Sequence, residues 1–139
     1  DPRNENILVY INGKMYPRQE AKVSVFDSVV QGGDAVWEGI RLYDGRIFCL
    51  DRHLERLQNS AHALDFKDIP DNKTITRALA ETLQANGMRD GVLPPTINHQ
   101  PDPRIPINCV AAGSRVVPQE HVLKNILCFT PKCELVIQV

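Results

Sequence analysis

A chain of 139 residues with 42% hydrophobic and 24% charged side chains is long enough for one folded domain that buries roughly two thirds of its unfolded surface. Its formal net charge of −1 excludes binding to nucleic acid or anionic membrane by general electrostatics. No apolar run approaches the ~20 residues that a membrane-spanning helix needs.

In chain order, Ile7 to Ile11 is a short apolar run, followed by Asn12-Gly13 and Lys14-Met15-Tyr16. Asn-Gly between two strand-like runs predicts a β-hairpin, because both central residues of a type I′ turn need positive φ. Val23, Val25 and Phe26 predict a further short extended piece. Gly32 and Gly33 interrupt the stretch from Ser28 to Glu38. A turn followed by a short helix capped by Asp34 is the expectation there. Asp44-Gly45, between Ile40–Tyr43 and Arg46–Leu50, predicts a second type I′ hairpin.

The period then changes from two to about 3.6. Leu50, Leu54, Leu57, Ala61 and Leu64 predict an amphipathic helix ending near Phe66. A second helix is predicted over Asp71 to Asn86, with Ile75, Ala78, Leu79 and Leu83 facing inward and Gly87 just past its end. After Val92 the composition shifts: seven of the ten prolines but only one of the eight aromatic residues lie in the last 48 positions. Pro94-Pro95 and Pro101-Asp102-Pro103 argue against regular structure up to Arg104. Ile107, Cys109 and Ala111 alternate like a strand, Val122 to Leu127 reads as a short helix, and Leu135, Ile137 and Val139 alternate again. The expected organisation is an α+β domain over residues 1–92, made of short antiparallel hairpins with two amphipathic helices, followed by a proline-rich tail over 93–139.

The four cysteines, Cys49, Cys109, Cys128 and Cys133, include no C-x-x-C pair. Reduced thiols in an intracellular setting, cytoplasmic or organellar, are expected rather than a zinc site or disulfides. The first residue is Asp1 and not methionine, which points to a processed product or an excerpt. Among polar residues, Arg52 and Arg56 share a helix face at i, i+4 spacing. A planar guanidinium suits phosphate or carboxylate, yet spacing alone favours a solvated face with Asp51 and Glu55. The lone Trp37 reads first as a core anchor and second as a pocket wall. Neither a P-loop nor a dinucleotide fingerprint accompanies Gly32-Gly33. His53 and His62 read as ordinary helix residues, with no nucleophile at a meaningful spacing.

One set of motifs goes further. V-Y-I-N-G at Val9–Gly13, V-F-D at Val25–Asp27, G-G-D-A-V-W-E-G-I-R at Gly32–Arg41, Y-D-G-R-I-F at Tyr43–Phe48 and H-L-E-R-L at His53–Leu57 agree in order and spacing with one family. From about Ile7 to Val92 the chain resembles the small N-terminal domain of the class IV aminotransferases, pyridoxal-phosphate enzymes of the branched-chain and D-amino-acid type. The resemblance implies that Arg56 binds the cofactor phosphate, that Trp37 lines the substrate side-chain pocket, and that Arg41 lies toward the substrate. Where branched-chain enzymes typically carry a pocket tyrosine, this chain has Gly32. It also implies a homodimer acting on an amino acid and a 2-oxo acid. In the family a lysine on a second, larger domain forms the Schiff base. None of the six lysines here stands in the corresponding context, so no catalytic residue is assigned and this chain alone is expected to be inactive. The same resemblance admits a non-catalytic product that folds or pairs with a longer subunit. It also admits an aminodeoxychorismate lyase or a D-amino-acid aminotransferase of the same fold.

Overall fold

The computed structural model describes residues 4–99 and 133–137. It is an α+β arrangement of eight described strands and three described helices, as the hairpin and helix signals require. Strands β1 (Leu8–Ile11) and β2 (Lys14–Pro17) form the first hairpin. Asn12 and Gly13 turn it with φ of 47° and 88°, the left-handed pair that a type I′ turn demands. Strands β4 (Ile40–Tyr43) and β5 (Arg46–Ile47) form the second hairpin, with Asp44 and Gly45 at φ 43° and 76°.

The region between the hairpins departs from expectation. Helix α1 covers Ser28–Gln31, before the glycines, and its N-cap is Asp27, whose carboxylate accepts from the Val29 amide at 2.9 Å. Asp34 instead leads into strand β3 (Ala35–Trp37). Asp27 and Asp34 both satisfy the capping rule, and the glycines end the helix rather than precede it. Val23, Val25 and Phe26 are exposed and form no strand.

Helix α2 (Leu50–Ala63) buries Leu54, Leu57 and Ala61. Helix α3 (Asn72–Asn86) buries Ile75, Ala78, Leu79 and Thr82. Asp71 caps α3 by accepting from the Thr74 amide at 2.7 Å, and Gly87 ends it in the left-handed conformation at φ 60°. Leu64, expected on the inward stripe of α2, is half exposed because it follows the last helical turn.

The sheet does not stop at Val92. Strands β6 (Gly91–Leu93), β7 (Pro95–His99) and β8 (Cys133–Ile137) complete two antiparallel sheets, ordered β2-β1-β8-β7-β3 and β5-β4-β6. Pro95 did not prevent this because it is the first residue of β7, where a missing N–H is tolerated. The expected strand at Leu135 and Ile137 is present and lies centrally, between β1 and β7. The expected elements around Cys109 and Ile126 lie outside the described residues, as does Val139.

Register gives the five-stranded sheet two unlike faces. Tyr10, Ile137, Pro95, Leu135, Ile97 and Val36 fall on one face by cross-strand pairing and two-residue alternation. Tyr10, Val36, Ile97, Leu135 and Ile137 join Leu54, Leu57, Ile75 and Leu79 in a single core. The opposite face carries a transverse row, Ile11–Val136–Thr96–Trp37. That row runs from β1 to the edge strand β3.

Candidate functional site

Trp37, the last residue of β3, and Glu38, just after it, point to opposite sides. Trp37 lies on the outer row and is 67% exposed, so the core-anchor reading is wrong. Strand alternation explains why: Val36 takes the inward position and is 7% exposed. The Glu38 amide donates to the Pro95 carbonyl at 3.2 Å, extending the β3–β7 ladder by one residue. The Glu38 side chain therefore turns to the helix side, toward α2.

There it meets Arg56 and His53. Arg56 Nε donates to Glu38 Oε1 at 3.0 Å, and Arg56 Nη2 donates to Glu38 Oε2 at 2.6 Å. His53 Nδ1 lies 2.7 Å from the same Oε2. The hydrogen bond from Arg56, opposed by burial and aided by His53, holds the Glu38 carboxyl below the usual carboxylate range. An ionised carboxylate can only accept, so Nδ1 of His53 carries the hydrogen. The 3.1 Å approach of Arg56 Nη2 to Nδ1 is then a contact between two donors. Hydrogen bonding to Glu38 raises the Arg56 guanidinium above its already high ordinary value, so the group is cationic throughout.

Burial is graded across this group. The Glu38 and His53 side chains are 12% and 13% exposed, whereas Arg56 is 62% exposed. A fixed carboxylate thus grips one edge of a guanidinium whose other edge faces solvent. The solvated-face reading of Arg56 with Asp51 and Glu55 accounts for its exposure but misses its partner, Glu38. Its partner is 18 residues away in sequence, a distance that helix spacing could not reveal. The Glu in the G-G-D-A-V-W-E-G-I-R run was the available signal, and neither it nor His53 was expected to join the site.

Arg41 sits apart. Its guanidinium carbon lies 5.3 Å from the Tyr43 ring centroid, and Tyr43 meets Phe48 edge-on at 6.1 Å. Arg41 and Tyr43 occupy the outward face of β4, opposite buried Ile40 and Leu42. No hydrogen bond joins Arg41 to Glu38, His53 or Arg56 among the described residues. A concavity of about 640 Å³ lies at the α2–α3 junction beside Gln58, His62 and Asp71. It includes none of Trp37, Arg41 and Arg56, which are displayed on open surface. Gly32 lies at the C-cap of α1 with a backbone φ of −120°, so no turn geometry requires glycine there. Cys49 carries a free, exposed thiol just before α2. No helix among the described residues is long and apolar enough to cross a membrane.

The chain matches the family model for amino-transferase class IV over residues 35–121. It belongs to the class IV aminotransferases. Branched-chain-amino-acid aminotransferase-like protein 2 of Arabidopsis thaliana is 52% identical over 89 residues, which is 64% of this chain and 16% of that protein. The aminodeoxychorismate lyase of Bacillus subtilis (strain 168) is 30% identical over 124 residues, covering 88% of this chain and 39% of the enzyme. Among solved structures, a T.th. branched-chain amino acid aminotransferase complexed with N-(5'-phosphopyridoxyl)-L-glutamate matches with a TM-score of 0.70 at 25% identity. That match covers 96% of this chain and 40% of the other. The chain therefore spans well under half the length of these class IV relatives. The α+β fold expected from the motifs is the one found.

Proposed function

We propose that these residues form the small-domain part of a pyridoxal-phosphate-dependent transaminase. In this reading it moves an amino group between a branched-chain or related amino acid and a 2-oxo acid, as a homodimer. The observation that carries it is Arg56, a permanently charged guanidinium on a packed helix, gripped along one edge and open along the other. Such a donor set fits a phosphate ester, which needs parallel N–H groups at fixed spacing. Pyridoxal phosphate, when bound, supplies the carbonyl and electron-accepting ring through which the amino group is carried.

The chain's own residues would hold that group and face its substrate. Arg56 binds the phosphate. Trp37, projecting from the outer row beside Thr96, covers the substrate side chain and sheds water from it. Arg41 lies toward the substrate with its charge resting on Tyr43. Gly32 stands where branched-chain enzymes typically carry a tyrosine, leaving side-chain discrimination to Trp37. By itself this stretch is inactive, because none of its lysines occupies the position of the family's Schiff-base lysine.

The test has two arms. Pyridoxal phosphate is added to the purified chain, reduced with borohydride and digested. No pyridoxyl-lysine peptide should appear, and one containing Lys124 or Lys132 would overturn the proposed inactivity. Joined to a class IV large domain, the chain should convert a branched-chain amino acid and a 2-oxo acid. The identity with the lyase across most of the chain favours a second reading, elimination from an aminodeoxychorismate. Turnover of that substrate and not of branched-chain amino acids would establish it instead.

A further inference from the structure

The contact that fixes Arg56 is made by a residue with no role so far. A guanidinium carries five N–H groups in one plane, arranged as a fork. Glu38 occupies the edge formed by Nε and Nη2, at 3.0 and 2.6 Å. Apart from the 3.1 Å approach of Nη2 to His53 Nδ1, the edge between Nη1 and the second Nη2 hydrogen makes no hydrogen bond among the described residues. It is the edge at which two parallel donors can meet a phosphate. His53, through Nδ1 at 2.7 Å from Oε2, prevents the carboxylate from rotating away. The Glu38 amide, bonded to Pro95 at 3.2 Å, ties the whole group to the strand end that bears Trp37.

We propose that Glu38 is the positioning residue of the phosphate anchor. It holds the Arg56 guanidinium by one edge so that the other is presented to a phosphate, and it couples that anchor to the Trp37 strand. This rests on the reading of Arg56 as a phosphate ligand. An ordinary surface ion pair would contribute little and orient nothing. Here the acidic partner is nearly buried and carries a second hydrogen bond, so the geometry is set from the protein side. Fixing the arginine before binding removes the ordering cost of a long, rotamer-rich side chain. The gain is one of preorganisation. It outweighs the partial cancellation of the Arg56 charge by the carboxylate, because the phosphate meets the guanidinium on the far side.

The experiment uses the full chain and inorganic phosphate as the probe. Titration is followed by the nitrogen resonance and hydrogen exchange of Arg56 Nε in the native chain, E38A and E38Q. For R56A, which has no such resonance, phosphate binding is read from backbone amide shifts of α2, recorded for every variant. In the native chain Nε–H exchange is slow and phosphate shifts the resonance. E38A should exchange faster and bind phosphate about three- to tenfold more weakly, the loss expected for one unfixed side chain. E38Q, which keeps an acceptor for Nε and the shape of the side chain, should lie between. It also carries the test if E38A fails to fold. A purely structural role would lower the melting temperature of E38A and leave phosphate affinity unchanged, which would overturn the proposal. Phosphate affinity equal to or tighter than native in E38A and E38Q, with binding abolished in R56A, would also overturn it and spare the Arg56 reading. Unchanged affinity in R56A, or no phosphate response in the native chain, would remove the Arg56 reading and this proposal together.

Discussion

Replacing Leu57 by alanine should disturb the site without touching it. Leu57 is fully buried and adjacent in sequence to Arg56, so it fixes the turn of α2 from which the arginine projects. A Leu→Ala change in a closed core loses the transfer free energy of the removed carbons and leaves a cavity. Together these come to about 3 kcal/mol. For a chain of this length that corresponds to a fall in melting temperature of roughly 10 °C. Arg52, on the exposed side of the same helix, provides the control, since a surface substitution there should stay within about 0.5 kcal/mol. Urea unfolding of the native chain, L57A and R52A, followed by far-UV circular dichroism, gives both values with a common slope. A cost below about 1 kcal/mol for L57A would refute this packing, because a fully packed leucine cannot be removed that cheaply. A cost for R52A as large as that for L57A would refute it too, since α2 would then be seated by its other face.

Two further expectations concern the frame and the charge network. Gly87 lies at φ 60° with open space where a Cβ would stand, so Gly87→Ala should cost about 1 kcal/mol from backbone conformation alone. A urea midpoint unchanged in G87A would contradict the left-handed cap. The Glu38 carboxyl is held below its ordinary value of 4.5, chiefly by the Arg56 hydrogen bond. The folded state therefore binds fewer protons there than the unfolded chain. The resulting stability is fully present above the ordinary value and is lost as pH falls through the lowered one. Urea midpoints measured from neutral to acid pH should fall less steeply in E38Q than in the native chain. An identical slope would show that Glu38 does not titrate with folding.

Much of the fold was legible because local chemistry and tertiary packing agree. Asn12-Gly13 and Asp44-Gly45 need positive φ whatever surrounds them, and the leucine spacing of α2 states its own buried face. The short helix before Gly32 was misplaced because Asp27 and Asp34 are equally good caps, and only burial of Asp27, which is fully enclosed, separates them. Strand β7 was hidden by Pro95, whose tolerance depends on its being the first residue of the strand, a fact of register rather than composition. At the site, the motif match singled out Arg56 and Trp37. Side-chain spacing left Arg56 as surface charge and Trp37 as core. Neither route pointed to Glu38 or His53, because their pairing joins β3 to α2 across 15 to 18 residues and exists only once the strand is docked on the helix.

Arg56 as a ligand for a phosphate ester is the central claim, and the most direct measurement separates that phosphate from the rest of the cofactor. Binding of pyridoxal phosphate and of pyridoxal is compared in the native chain and in R56A by calorimetry. The native chain should prefer the phosphorylated compound, and R56A should lose that preference while its affinity for pyridoxal stays the same. An equal preference in both chains would mean that the phosphate is held elsewhere, and the assignment of Arg56 would be wrong.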